Sequence, residues 1–350
     1  MKKLRNIFLI LSAILIADTV AAQDPSFSQF FSSPLNINPA LTGNINGKWR
    51  VMSNVRKQWI TPANPYTTGT ISAENKIFQN MPTKEYDEKT RIGIGGMMMF
   101  DEAMAGALKS NYASFNISGN IRLGSGYDYA ANSFPAEHRF GVGLGIIYGH
   151  KRIDQSKLNF GSQFTGNGFD TNLPTGESGL SNMKPYLSTS AGLLYSYLSE
   201  NTVFELGASA FHFNKPKQTF LDDPNQFLAT RYVVHANFET FLSQQVFVNS
   251  NGVYQSQSGA SYFSIGAALG YYVLNSDEKD VVLNAGCWYW SNNAVIPYFG
   301  FNYGNYQIGL SYDITASRLT QASGKAPTFE LCLVVRGGAK SEGAFPAPWK

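Results

Sequence analysis

Charge is what this 350-residue chain most lacks: only 15% of its residues are Asp, Glu, Lys or Arg, against about 25% in an average soluble domain. A net charge of +3, with no basic stripe, removes the electrostatic footprint of a nucleic-acid binder. Cysteine is almost as scarce. Two residues, Cys287 and Cys332, are too few for a disulfide framework, and the alternation described below puts them on opposite faces of strands that are not neighbours. The four histidines, His138, His150, His212 and His235, lack zinc-site spacing. No cofactor or metal site is predicted, and no phosphate-loop or strong triad motif is present. The GVGLG run over residues 141–145 lies in an extended segment with no helix after it, so its glycines read as small inward-facing residues. His235 could serve an outer-membrane lipid hydrolase only with a serine partner, and none is singled out. The sequence offers no catalytic residue.

Long apolar runs are also missing beyond the start of the chain. Residues 1–22 carry a basic end (Lys2, Lys3, Arg5), an apolar stretch over 7–17 and a small-residue close (Val20, Ala21, Ala22). That is the pattern of a signal peptide cleaved after Ala22. A spanning anchor is the weaker reading, because the stretch falls well short of about 20 residues. An exported chain without a helical anchor is either soluble or a barrel.

What the chain has in quantity is glycine (33), tyrosine (19) and phenylalanine (25), arranged in alternation. In residues 306–313, Ile308, Leu310 and Tyr312 share one face of a strand, while Gln307, Gly309, Ser311 and Asp313 share the other. The same division recurs with Phe140, Val142, Leu144, Ile146 and Tyr148 opposite Gly141, Gly143 and Gly145. It appears again with Phe329, Leu331, Leu333 and Val335 opposite Glu330, Cys332 and Arg336. About fourteen such segments fill residues 48–336, each near the length of a tilted membrane strand. The fold class predicted is therefore all-β, an antiparallel outer-membrane β-barrel with lipid outside. A secreted β-sandwich or propeller is the competing architecture.

Residues 23–47 are rich in Pro, Asn and Ser and have no period, so they read as a coil or plug packed in the lumen. Residues 337–350 form a tail, assigned to the periplasm. Links over 154–182, 214–228 and 315–326 are long, whereas 199–202, 242–245 and 304–305 are tight; starting residue 48 at the periplasmic face puts the long ones outside. Residues 78–90 and 124–136 would then be long periplasmic links. Arg50, Arg56, Glu205, Arg231, Glu239, Glu330 and Arg336 face inward, where opposite charges can pair across the lumen and hold a plug. Arg56 is expected to pair with a carboxylate such as Glu330 or Glu74.

Several motifs resemble one known family. After the cleavage site stand QDPSFSQFF (23–31), PLNINPALTG (34–43), Arg50 and RKQW (56–59). SKLNFG (156–161), FHFNKP (211–216), RYVVH (231–235) and GLSYD (309–313) follow in order. This succession is similar to the PorP/SprF family of type IX secretion membrane proteins from Bacteroidota. The resemblance implies a non-catalytic outer-membrane barrel of the secretion and gliding machinery. Its implied partners are the lipid bilayer, the periplasmic and outer-membrane components of the system, and a secreted adhesin or enzyme with a type B C-terminal sorting domain. The motif residues Asp24, Pro25, Phe27, Gln29, Asn38, Pro39, Ala40, Gly43, Arg56, Gln58 and Trp59 read as structural. Lys157, Leu158, Asn159, Phe160 and Gly161 form a candidate cargo loop. A channel or hydrophobic-solute transporter, with the coil as a movable plug, remains the alternative function.

Overall fold

A computed structural model describes residues 23–60, 65–77, 90–123, 136–177, 183–199, 201–220, 223, 225–275, 280–316 and 327–338. The signal sequence, most of the 78–90 and 124–136 links and nearly all of the tail lie outside the described residues.

Fourteen strands follow in sequence. They are β1 (Trp49–Gln58), β2 (Tyr66–Ile77), β3 (Thr90–Ala103), β4 (Leu108–Leu123), β5 (Glu137–Ile153), β6 (Tyr186–Leu198) and β7 (Thr202–Phe211). The second half contains β8 (Arg231–Phe241), β9 (Val246–Gln257), β10 (Ala260–Asn275), β11 (Asp280–Trp290), β12 (Ala294–Tyr303), β13 (Tyr306–Thr315) and β14 (Thr328–Gly337). Each pairs antiparallel with its sequence neighbour, and β1 also pairs with β14, so the sheet closes and no edge is left. Closure satisfies the ladder groups internally, which an open sheet could not do in hydrocarbon. β2 begins directly after Pro65 and β6 directly after Pro185. Proline cannot donate to a ladder and so marks the start of each strand.

The alternation becomes a division between outside and inside. Phe115, Leu144, Ile146, Leu187 and Ile265 are each more than half exposed, while Gly143, Gly145, Ser188 and Ser264 on the opposite faces are buried. An apolar exterior of this extent would be a large penalty in water, since leaving each such side chain exposed forfeits roughly 1.5–3 kcal/mol. In lipid it is the correct surface. Cys287 belongs to that exterior and Cys332 is buried within, on non-adjacent strands, so both are free thiols.

Connections at one end of the barrel differ widely in length. Ser258 (φ 52°) and Gly259 (φ 81°) join β9 to β10 with two left-handed residues, the geometry that matches strand twist in a two-residue hairpin. β5 and β6 are instead joined by residues 154–185, whose described part contains short 3-10 turns at Gln155–Lys157 and Gly161–Gln163. The connection over residues 212–230 rises at the same end.

Residues 24–46 form an irregular segment with 3-10 turns at Phe30–Ser32, Pro34–Asn36 and Pro39–Leu41. The prolines set φ for the first turn positions and prevent a longer helix. Most of the segment is buried. It begins at Asp24 beside Arg231 and Gln257, which lie at the end of the barrel carrying the 154–185 connection. It finishes where Lys48 N donates to Gly337 O at the other end, so the segment runs the length of the barrel.

Candidate functional site

The N-terminal segment and the walls that hold it contain nearly all of the buried polar chemistry. Two carboxylates anchor its backbone. Glu330 on β14 accepts from Ser28 N (2.7 Å), Gln29 N (2.9 Å) and Asn54 Nδ2 (2.8 Å). Glu74 on β2 accepts from Gly43 N at 2.8 Å and forms an ion pair with Arg50 at 2.6 Å. Segment amides without helical or ladder partners would be costly when buried, and these acidic side chains satisfy them.

Across the ring, Asn38 donates through Nδ2 to Leu193 O (2.9 Å) on β6 and approaches His235 Nε2 (3.1 Å) on β8. Its Oδ1 accepts from Ala40 N, capping the turn at Pro39–Leu41. Ser209 on β7 donates to Ile37 O, and Ser118 on β4 donates to Thr42 O. β7 and β14 lie half the ring apart, so the segment bridges opposite walls.

The inward glycines have a reason to be there. A Cβ at Gly143 would come 2.2 Å from Ala40 N, and one at Gly192 would come 1.9 Å from Asn38 Oδ1. Both distances are far inside van der Waals contact. Gly43 is constrained twice, by φ +69° and by an added Cβ that would lie 2.6 Å from Gly93 Cα. Aromatic packing completes the fit: Phe31 meets Trp288 at 5.0 Å and Tyr298 at 5.6 Å between ring centroids.

The predicted lumen charges are inward and mostly buried, and Arg56 does lie in ion-pair range of Glu330, but the closer pairings differ from expectation. Arg50 pairs with Glu74, its direct register partner on β2. Arg56 pairs with Asp313 at 3.0 Å and lies 3.8 Å from Glu330, while its Nη1 donates to Ser26 O at 2.8 Å. Glu74 is therefore the partner of Arg50, and Arg56 has Asp313 in its place. These pairs run along the wall rather than across the bore: Arg50 reaches the adjacent β2, and Arg56 reaches past β14 to β13. Glu205 accepts from Asn44 Nδ2 at 2.7 Å, Glu239 from Asn249 Nδ2 at 3.2 Å, and Arg336 donates to Gln307 Oε1 at 2.8 Å.

Of the remaining motif residues, Phe27 is buried. Gln29 donates to Ser311 Oγ and Glu330 O, and Pro25 O accepts from Asn36 Nδ2. Gln58 closes β1. Trp59 turns left-handed at φ 57° and packs edge-on against Tyr66 at 5.2 Å. In the loop, Lys157, Asn159 and Gly161 are exposed, while Leu158 and Phe160 are half-buried. Asp154 orders the loop's start by accepting from Ser156 N and Oγ, and these bonds hold its carboxyl below the usual range. Phe164 and Phe169, farther along, are packed edge-on at 5.3 Å and remain more than half exposed.

Sequence reasoning passed over a third anchor. Asp24 Oδ2 lies 2.7 Å from His212 Nε2 and 3.2 Å from Arg231 Nε, and His212 Nδ1 lies 2.6 Å from Ser188 Oγ. Burial alone would raise Asp24, but Arg231 and His212 overcome it and hold the carboxyl well below its ordinary range. Ser188 is fully enclosed, so this Ser–His–Asp chain orients the imidazole and presents no nucleophile. Asp313 was legible as inward-facing, whereas His212, at a left-handed position just beyond β7, had no period to reveal it. Among the described residues, no group of three His, Cys, Asp or Glu could hold a metal.

The family described as type IX secretion system membrane protein PorP/SprF matches residues 19–335 of this chain. The chain belongs to the PorP/SprF family. With a closed barrel and an apolar exterior, this membership makes it an outer-membrane component of type IX secretion. No curated protein matches the chain. Among solved structures, it is similar to a deltaS2 mutant of the TodX monoaromatic hydrocarbon channel, at 11% identity and TM-score 0.47, over 87% of this chain and 93% of that one. The Pseudomonas putida toluene transporter TodX is 10% identical, with TM-score 0.45 over 86% and 93%. A Pseudomonas aeruginosa FadL homologue is 10% identical, with TM-score 0.42 over 85% and 92%.

Proposed function

We propose that this PorP/SprF member is a non-catalytic, plugged barrel that aids export or surface retention of one dedicated cargo protein carrying a type B C-terminal sorting domain. In this reading residues 24–46 are a resident plug, and the end bearing residues 154–185 and 212–230 faces outward and grips the cargo. The periplasmic end then meets the secretion and gliding components. The observation that carries the reading is the seating of the segment: Glu330 and Glu74 hold it from one side of the ring, Leu193 and His235 hold its Asn38 from the other, and glycines leave room only for it. A bore bonded shut in this way suits a holder better than a conduit.

Deleting residues 156–182 is expected to leave the barrel in the outer membrane and to release one cargo into the medium. Unchanged retention would remove the loop from the mechanism. Native-membrane pull-down identifies the cargo.

A second reading, a hydrophobic-solute channel with a movable plug, draws on the cavity beside the segment lined by Leu35, Met97, Met99, Ile147 and Phe211. Bilayer conductance separates the two. The plugged holder predicts a closed trace, and a steady solute-permeable pore would count against it.

A further inference from the structure

The Asp24 anchor has the construction of a binding site for which the protein supplies its own occupant. Arg231 and His212 are each only 3% exposed; His212 is fixed from the wall side, and Arg231 lies between a wall aromatic and the segment's own backbone. His212 is held by Ser188 through Nδ1, and Ser188 in turn approaches Asn214 Oδ1 at 3.3 Å. The Arg231 guanidinium lies 4.3 Å from the Phe211 ring centroid and donates to Asn36 O at 2.9 Å. The carboxylate they hold belongs to the second residue after the predicted cleavage site. Besides this side chain, Asp24 is tied by its amide N to Gln257 Oε1 at 2.8 Å, and Gln23 before it is exposed. Beside the seat lies the cavity whose apolar lining includes Met97, Met99, Ile147 and Phe211, with Tyr112 among its polar groups.

We propose that Arg231 and His212 form a site for an apolar carboxylate, filled in the resting protein by Asp24 and reached from the mouth that carries the 154–185 connection. The inference rests on the reading of residues 24–46 as a resident plug. Losing Asp24 with nothing in its place would leave the buried Arg231 uncompensated, which is strongly unfavourable. Exchanging one ionised carboxylate for another preserves the charge balance, and the apolar group of the incoming acid takes the space that Asp24 and the segment's free end leave, next to the small apolar cavity. Two sources share this chemistry: the C-terminal residue of a peptide and a fatty acid. The site would thus couple arrival of an acid at the mouth to release of the plug's free end.

The test uses the mature, detergent-solubilised chain and isothermal calorimetry with N-acetylphenylalanine and octanoate. N-acetylphenylalanine amide is the uncharged control. Because self-occupancy lowers apparent affinity by the fraction of open seats, Asp24→Asn is expected to bind an acid at least about tenfold more tightly than the parent. Arg231→Gln in the same background is expected to abolish binding. Binding of N-acetylphenylalanine assigns the seat to a peptide terminus, and binding of octanoate alone assigns it to a lipid-derived acid; either supports the site. Equal affinity in parent and Asp24→Asn, or equal binding of the amide, overturns it. Should Asp24→Asn fail to fold, Ser26→Cys in the otherwise unaltered chain provides the readout. Saturating acid, but not the amide, should accelerate its labelling by a thiol reagent, and an unchanged rate overturns the proposal. No cargo is present in these assays, so their failure leaves the retention experiment standing. A conducting bore would defeat the plug reading separately.

Discussion

Replacing Glu330 with alanine removes the acceptor on which the first turn of the N-terminal segment depends. Its carboxylate takes two segment amides, Ser28 N at 2.7 Å and Gln29 N at 2.9 Å, and it is only 1% exposed. Each stranded buried amide costs about 1–3 kcal/mol, and the distant interaction with Arg56 adds little because Asp313 still pairs with that guanidinium at 3.0 Å. Allowing for partial hydration of the gap, the segment should lose about 3–4 kcal/mol of docking energy, or two to three orders of magnitude in the closed-to-open ratio. Glu330→Gln keeps one carbonyl acceptor but turns an amide N–H toward one of the segment's own N–H groups. It should cost roughly half as much. Amide hydrogen exchange in detergent micelles measures both. Protection at Ser28 and Gln29 should fall in the order parent, Gln, Ala, while the β5 and β10 amides stay protected. Unchanged exchange at Ser28 and Gln29 in Glu330→Ala would refute the assignment of Glu330 as the anchor.

Gly143→Val should expel the segment around Ala40, because its Cβ alone would lie 2.2 Å from a backbone nitrogen; thermolysin cleavage within residues 24–46 of the folded barrel checks this. Arg56→Ala should raise protease sensitivity of the same segment less than Glu330→Ala does, since it removes one bond to Ser26 O and leaves the Glu330 amides bonded. For pH, Asp24 has a folded value depressed below the ordinary 3.8. Its stabilisation is therefore complete above about 3.8 and is lost only as pH falls below that value. Exchange at the Asp24 amide should change little from its carboxylate between pH 8 and pH 5 and rise in stronger acid. A loss already complete at pH 5 would contradict the pairing.

The strands were legible because their physics is local. Side chains alternate strictly along extended backbone, so Phe140 through Tyr148 and Phe329 through Val335 announced their faces without any knowledge of their neighbours. Pro65 and Pro185 stand directly before β2 and β6, because a missing N–H removes a ladder bond at its own position. Inwardness of the charges was equally readable. Their partners were readable only in part: Arg56 does come within range of Glu330, but that Glu74 meets Arg50 and Asp313 meets Arg56 depends on register between strands and on the lateral reach of a side chain.

Composition and alternation by themselves determined a closed wall with an apolar exterior and a polar, glycine-rich interior. Those features follow from a two-residue period and from what lipid tolerates. Only the tertiary structure decided what the inner face is for. Gly143 and Gly192 face Ala40 and Asn38, Glu330 takes two amides some 300 positions earlier in the chain, and Arg231 and His212 receive Asp24. Such contacts join residues distant in sequence through ring closure, and no local pattern encodes the distance between two sides of a barrel.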